Sequence, residues 1–281
     1  MPPLDLSALL TPTPTGQPNR FVLDVPDGLQ QGRGAWGGVA TGAMVSAATQ
    51  VDPRPELGLR TLSAQLVAPL LVGQAHVEVE SLRLGSATHT LAIRLLDGDG
   101  GLVAHGVAVL GAPRGGEAMP DGPAWLTVVP PAELSADPES VPVLPAGLPL
   151  APDFLQQLEV RAVNGLPYSG AGHTEVSGWV RPLGPLGRVD AAVVAALADA
   201  WWVAVLAGID RPRPLATLGY TLDLPGDPVS LQRDADGRLE PLFHRGRVIG
   251  ARQGFTVETR ELWTRDGQLV SWNTQTVAVI K

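Results

Sequence analysis

The sequence predicts an α+β chain of two similar modules, each an antiparallel sheet wrapped around a central helix. Three observations carry this. The stretch Thr61-Leu-Ser-Ala-Gln-Leu-Val-Ala-Pro69 returns as Thr217-Leu-Gly-Tyr-Thr-Leu-Asp-Leu-Pro225, with Thr, Leu, Leu and Pro 156 residues apart (61 to 217). An apolar run, an Asp-Gly turn and a final strand also recur, around Asp99-Gly100 and around Asp266-Gly267, here 167 residues apart, so the second copy carries an insertion. Each copy pairs one apolar helical run with alternating strands and no βαβ rhythm, which places the helix against an antiparallel sheet.

In the first module, 16–113, Phe21 to Val25 alternates as a short strand before the turn signal Pro26-Asp-Gly28. The glycine cluster Gly32-Arg-Gly-Ala-Trp-Gly-Gly38 opens into Val39 to Val51, apolar and small on all sides, and so a buried helix. Four strands follow, about 59–67, 76–84, 88–96 and 102–110, the last two joined by the turn Asp97-Gly-Asp-Gly-Gly101. Prolines at 120, 123, 130, 131, 138, 142, 145 and 149 mark 114–150 as a linker. The second module, 151–281, repeats the plan: strands near 155–162 and 174–181, one helix over Val189–Ala207 with Asp190 at its start, and strands near 217–223, 242–248, 255–264 and 269–280. Set edge to edge, the two sheets cover each other's unpaired edge.

Composition narrows the function. A net charge of −8 argues against general binding to nucleic acid or anionic membrane. All but one of the 20 basic residues are arginine, the exception being Lys281, a bias that suits phosphate contact and equally suits genomic base composition. The absence of cysteine excludes disulfides and thiol nucleophiles. No Gly-x-Ser-x-Gly frame surrounds Ser46, Ser63, Ser169 or Ser271, and the five histidines lack metal-ligand spacing, so neither an α/β-hydrolase nucleophile nor a metal is expected. Without a basic n-region or a run of about 18 apolar residues, the chain reads as soluble and cytoplasmic.

Trp36-Gly-Gly-Val-Ala-Thr-Gly-Ala-Met44 at a helix start, Thr61 to Pro69 as the next strand and Val77-Glu-Val-Glu-Ser-Leu-Arg-Leu-Gly85 after it resemble the acyl-CoA thioesterase II family. The resemblance implies a double hotdog fold, hydrolysis of an acyl-CoA thioester to free acid and coenzyme A, no cofactor, and further pairing into a homo-oligomer. It also implies a water held by an Asp, a Thr or Ser, and a Gln. Gln275, in Leu269-Val-Ser-Trp-Asn-Thr-Gln275, matches the Gln. On this match the Asp position is taken by Gly219 and the hydroxyl position falls near Arg247, which makes both degenerate.

Because a neutral Gln cannot take a proton from water, another base is needed, and Asp199 in Ala195-Ala-Leu-Ala-Asp199 is the candidate. A carboxylate on an apolar helix has its basicity raised by desolvation; the alternative role is a hydrogen-bonded group at the module interface. The amides of Gly37 and Gly38 are placed to hold an oxyanion, or the glycines serve close packing. His89 is a candidate acyl-CoA contact or a packing residue, Arg247 and Arg252 candidate CoA-phosphate contacts, and Trp201-Trp202 either lines an acyl tunnel or seals the core. Three functions follow: an active thioester hydrolase, a non-catalytic acyl-CoA or lipid-binding protein with a degenerate triad, and a hotdog enoyl-CoA hydratase.

Overall fold

The two copies of the repeated motif are hydrogen-bonded to each other. In the computed structural model, which describes residues 2–114, 128–145, 147–226, 228 and 231–280, the first copy lies in a strand over Gly58–Leu66 and the second in one over Leu215–Asp223. They pair antiparallel, with Gly219 opposite Gln65, Tyr220 opposite Ala64 and Asp223 opposite Thr61. Ala64 and Tyr220 occupy the same place in the repeat and face each other, so an approximate two-fold axis passes through that pair.

The chain begins with α1 (Leu6–Leu9), β1 (Thr13–Pro14), β2 (Arg20–Val25) and the short hairpin β3 (Gln30–Gln31) and β4 (Gly34–Ala35). The central helix α2 (Gly37–Val51) then leads to β5 (Gly58–Leu66), β6 (Gly73–Leu84), β7 (Thr88–Leu96) and β8 (Leu102–Gly111). The second module supplies β9 (Leu158–Asn164), β10 (Glu175–Pro182), α3 (Ala191–Leu197), α4 (Val205–Gly208), β11 (Leu215–Asp223), β12 (Leu242–Arg252), β13 (Phe255–Trp263) and β14 (Leu269–Val279). All but β3 and β4 form one twelve-stranded sheet in the order β1-β2-β6-β7-β8-β5-β11-β14-β13-β12-β10-β9. The sequence of strands from β2 to β5 mirrors that from β10 to β11, which is the predicted double hotdog. The β5–β11 junction turns two exposed edges into one continuous ladder.

Helix α2 has no polar face, and Val39, Ala40, Ala43, Met44, Ala47 and Ala48 are all buried. Burying Val39 and Met44 stabilises the fold by about 1.5–3 kcal/mol each. Sheet covers one side of α2 and α3 the other. Small residues permit that approach: a Cβ on Gly38 would stand 2.7 Å from the carbonyl of Ala196, and one on Gly42 would stand 3.0 Å from that of Ala192. The N-terminal segment seals the helix pair, with Leu10 fully buried against Gly42 and the Leu4 amide bonded to Gln157.

Two expectations change. The helix expected over Val189–Ala207 is two helices, α3 and α4, with a break at 198–204. The stretch expected as linker is anchored in its later part. Arg161 holds the carbonyls of Pro138 and Val141, and Leu134 and Val141 pack on the cluster of Trp179, Phe243 and Trp263. Residues 115–127 of that stretch, with Pro120 and Pro123, lie outside the described residues. Among the described residues, no helix is long and apolar enough to cross a membrane.

Candidate active site

The break between α3 and α4 exists because the sheet replaces the missing helical hydrogen bonds. Arg260 on β13 points inward, and its Nη1 lies 3.5 Å from the carbonyl of Ala198 and 3.3 Å from that of Trp201. Two residues away on the same face, Glu258 accepts from the amide of Ala204, the residue before α4, at 2.8 Å. Arg260 and Glu258 bond to each other and are almost wholly buried. One ion pair therefore satisfies carbonyls left at one helix end and an amide left at the next start.

Asp199 sits in this break and is 8% exposed. Its Oδ1 accepts from Gln275 Nε2 at 2.8 Å and from Arg260 Nη1 at 3.3 Å. Its Oδ2 faces the start of α2, where a Cβ on Gly37 would come within 2.7 Å, and the Gly38 amide donates to the carboxylate. Only a glycine leaves that space. The carboxyl is pushed above the ordinary Asp range, chiefly by burial, with Arg260, Gln275 and the Gly38 amide acting against the rise and nearby Glu258 adding to it. Two carboxylates sharing one guanidinium leave Asp199 a stronger base than a solvated Asp.

Gln275 on β14 is fully buried and fixed at both ends of its amide. Its Nε2 donates to Asp199 and, at 3.0 Å, to Asn273 Oδ1, while Asn273 Nδ2 donates to the carbonyl of Thr221 at 2.8 Å. This assigns Nε2 as the donor and leaves Oε1 as the acceptor, which Thr217 Oγ1 reaches at 3.4 Å. Tyr220 closes the far side, donating to the carbonyl of Ala195 at 2.7 Å, with its phenol pushed well above the usual range by burial. Asp199, Gln275 and Thr217 thus form one connected group, a carboxylate, an amide and a hydroxyl.

Strict alternation conceals Thr217. Counting back by twos from Tyr220, whose side chain points inward, selects Leu218, but the β11–β14 register slips between Thr217 and Gly219. This bulge leaves Leu218 39% exposed and sets Thr217 opposite the fully buried Val277 on the inner face. The signal that marked Thr217 was the repeat itself, in which it is an anchor.

The remaining expected residues are placed as follows. Gly219 pairs with Thr276, next to Gln275, and so lies on the opposite face of the sheet. Arg247 also lies on that outer face, paired in register with Thr259 and 3.4 Å from Glu261, so it does not enter the space around Gln275. The expectation that Gly219 and Arg247 occupy positions of the group around Gln275 therefore fails on geometry. Arg252 is exposed beside the Gln253-Gly254 turn. His89 is in the first module, bonded to Asp52 and Ser81. Gly37 and Gly38 do meet Asp199, and Trp201 is buried, stacked on His244 with ring centroids 5.0 Å apart.

Residues 25–111 match the acyl-CoA thioesterase N-terminal domain, and residues 131–279 match the acyl-CoA thioesterase C-terminal domain. No curated protein matches the chain in sequence. Among solved structures, a conserved hot dog fold protein from Alicyclobacillus acidocaldarius is 24% identical with a TM-score of 0.80, over 97% of each chain. A Thermobifida fusca protein provisionally named thioesterase II is 20% identical with a TM-score of 0.77, over 100% of this chain and 99% of its own. The acyl-CoA thioesterase II of Mycobacterium marinum is 16% identical with a TM-score of 0.69, over 96% of each chain.

Proposed function

The chain belongs to the acyl-CoA thioesterase family, with the double hotdog fold of its thioesterase II-like members, and we propose that it hydrolyses an acyl-CoA thioester to free acid and coenzyme A at the Asp199 cluster. The observation that carries this reading is the 2.8 Å bond between Gln275 and Asp199 beside the start of α2, which gives the amide a carboxylate partner of raised basicity. In the reaction, Asp199 takes a proton from water as its oxygen attacks the thioester carbonyl carbon. Gln275 Oε1 and Thr217 Oγ1 orient that water. The carbonyl oxygen, as it becomes an oxyanion, is stabilised by the positive end of α2 at Gly37. The C–S bond then breaks, and the departing thiolate of coenzyme A takes the proton back from Asp199. No cofactor enters this sequence.

The geometry gives Arg260 a supporting part. It bonds the carbonyls of the break and, as the cation beside Asp199, works against the rise that burial gives that carboxyl. The test is cleavage of acyl-CoAs of short, medium, long and aryl acyl groups, followed with a thiol reagent. We expect turnover that falls on the order of 10²–10⁴-fold in Asp199→Asn, the range for loss of a general base. Gln275→Ala is expected to fall as well. No turnover on any acyl-CoA, with the same compounds still raising the melting temperature, would overturn hydrolysis in favour of binding.

A further inference from the structure

At the other end of α2, about 20 Å from Asp199 by the rise of a helix of this length, lies a second constellation that the thioesterase reading does not use. Asp52 directly follows α2, and its Oδ2 is 2.7 Å from His89 Nδ1. His89 Nε2 is in turn 2.7 Å from Ser81 Oγ. The Asp52 side chain is 2% exposed and that of His89 6%, whereas Ser81 is open to solvent. Arg54 grips both oxygens of Asp52, through Nε at 2.9 Å and Nη2 at 2.6 Å, and anchors itself on the carbonyls of Gly85 and Ser86. The Arg54 hydrogen bonds hold the Asp52 carboxyl well below the usual range.

An ionised Asp52 can only accept, so Nδ1 of His89 is the donor, and in the neutral ring Nε2 turns its lone pair to Ser81. That is the tautomer that lets an imidazole draw the proton from a hydroxyl. Ser81 is reached directly from solvent, at a place where the sheet is interrupted. The pairing of β6 with β2 ends at Glu78, and the β6–β7 register slips between Ser81 and Arg83, so Leu82 has no partner in that ladder. Nearby is an open concavity of about 420 Å³, whose lining includes Asn19, Phe21, Gln50 and Val51 but none of Asp52, Ser81 and His89. The carbonyl of Asn19 accepts from the amide of Val79, two residues before Ser81.

We propose that Ser81 is a nucleophile activated by His89, with Asp52 as positioning residue, and that this is a second acyl-transfer centre acting on carboxylic esters. Ser81 Oγ attacks the ester carbonyl carbon and passes its proton to His89 Nε2. The bond from that carbon to the alkoxy oxygen breaks, and the alcohol leaves with the proton from Nε2. Water then attacks the acyl-Ser81 ester, gives its proton to Nε2, and Ser81 leaves with that proton as the free acid departs. The centre is independent of Asp199 and stands or falls apart from it.

The test is a fluorophosphonate, which forms a stable adduct with a base-activated serine, added to the full-length protein and read by intact mass and peptide mapping. The expected result is one adduct, on Ser81, absent in Ser81→Ala and formed on the order of 10²-fold more slowly in His89→Gln. A folded wild-type protein that takes no adduct overturns the proposal without recourse to any variant. So does an adduct on another residue, or an adduct on Ser81 whose rate is the same in a folded His89→Gln.

Discussion

The two modules share a fold and a row of residues across the sheet, yet one half of that row is polar and the other apolar. Reading outward from the two-fold axis, Tyr220 is followed by Gln275 and Glu258, while Ala64 is followed by Gly106 and Ile93. In the adjacent row, Asn273 and Arg260 correspond to Ala104 and Leu95. Nine residues after each helix cap, Asp199 in the second module corresponds to Val45 in the first. Every one of the apolar counterparts is buried. The comparison teaches that the fold does not need these polar groups, since the first module packs the same places with hydrocarbon. Their cost in desolvation has no counterpart in packing, and the proposed chemistry accounts for it.

The largest test of this contrast gives the second module the first module's residue. Arg260→Leu, the side chain found at position 95, leaves Asp199 and Glu258 buried without a cation and strips the carbonyls of the helix break. We expect a loss of about 3–5 kcal/mol in urea unfolding at pH 7, as for other buried pairs that lose one member. Part of that loss should return in acid, because the Asp199 carboxyl, already pushed up by burial, then takes a proton and loses its charge. A loss below 1 kcal/mol would mean that the break holds itself open without Arg260.

A smaller effect comes from the helix contact. The counterpart of Gly38, two residues after the cap, is Ala192, which already carries a Cβ. Gly38→Ala would press on the ring of Trp36 and on the Ala196 carbonyl, 2.7 Å from the new Cβ. We expect a loss of about 1–3 kcal/mol, the cost of overpacking. We also expect reduced turnover, because α2 and the Asp199 pocket separate together. Smaller again is the hydroxyl. Thr217→Val should lower kcat/KM roughly tenfold, or about 1.4 kcal/mol, for one hydrogen bond to the water, whereas Thr61→Val at the equivalent place should leave it unchanged.

Much of this was legible because it is written in alternation. The main strands, the duplication and the lone carboxylate Asp199 in an apolar helical run could be read from residue order, whereas which two edges meet at the seam could not. The partners of Asp199 could not. Glu258-Thr-Arg-Glu261 has the look of a solvated strand, and nothing local reveals that Glu258 and Arg260 turn inward to a broken helix while Glu261 is bound by Arg245 outside. Thr217 was displaced from its expected face by a bulge, and Asp52, Ser81 and His89 meet only because the end of α2 returns to β6 and β7. Contacts between distant elements depend on register and helix ends, which short periodicities do not encode.

The smallest effect separates the modules by pH. The first module keeps its buried charge at the far end of α2, where Asp52 is bonded by Arg54 and His89. Its folded carboxyl is depressed below the ordinary value, so its contribution is complete above about pH 4 and is lost as the pH falls through that value toward the folded one. Asp199 has the opposite sign: its carboxyl is raised, so the folded state holds a proton that the unfolded state releases, and its effect on stability appears as the pH rises above the ordinary Asp value. Asp52→Asn should therefore flatten the acid limb of the stability curve. At pH 7 it should cost up to about 1 kcal/mol, because Arg54 is partly exposed and its bond is screened by water. Asp199→Asn should leave the acid limb in place and change the curve only above it. Urea unfolding from pH 3 to pH 8 for the wild type and both variants measures this. An acid limb unchanged by Asp52→Asn would mean that the first module's acid sensitivity comes from other carboxylates and that the two helix ends do not carry opposite signs.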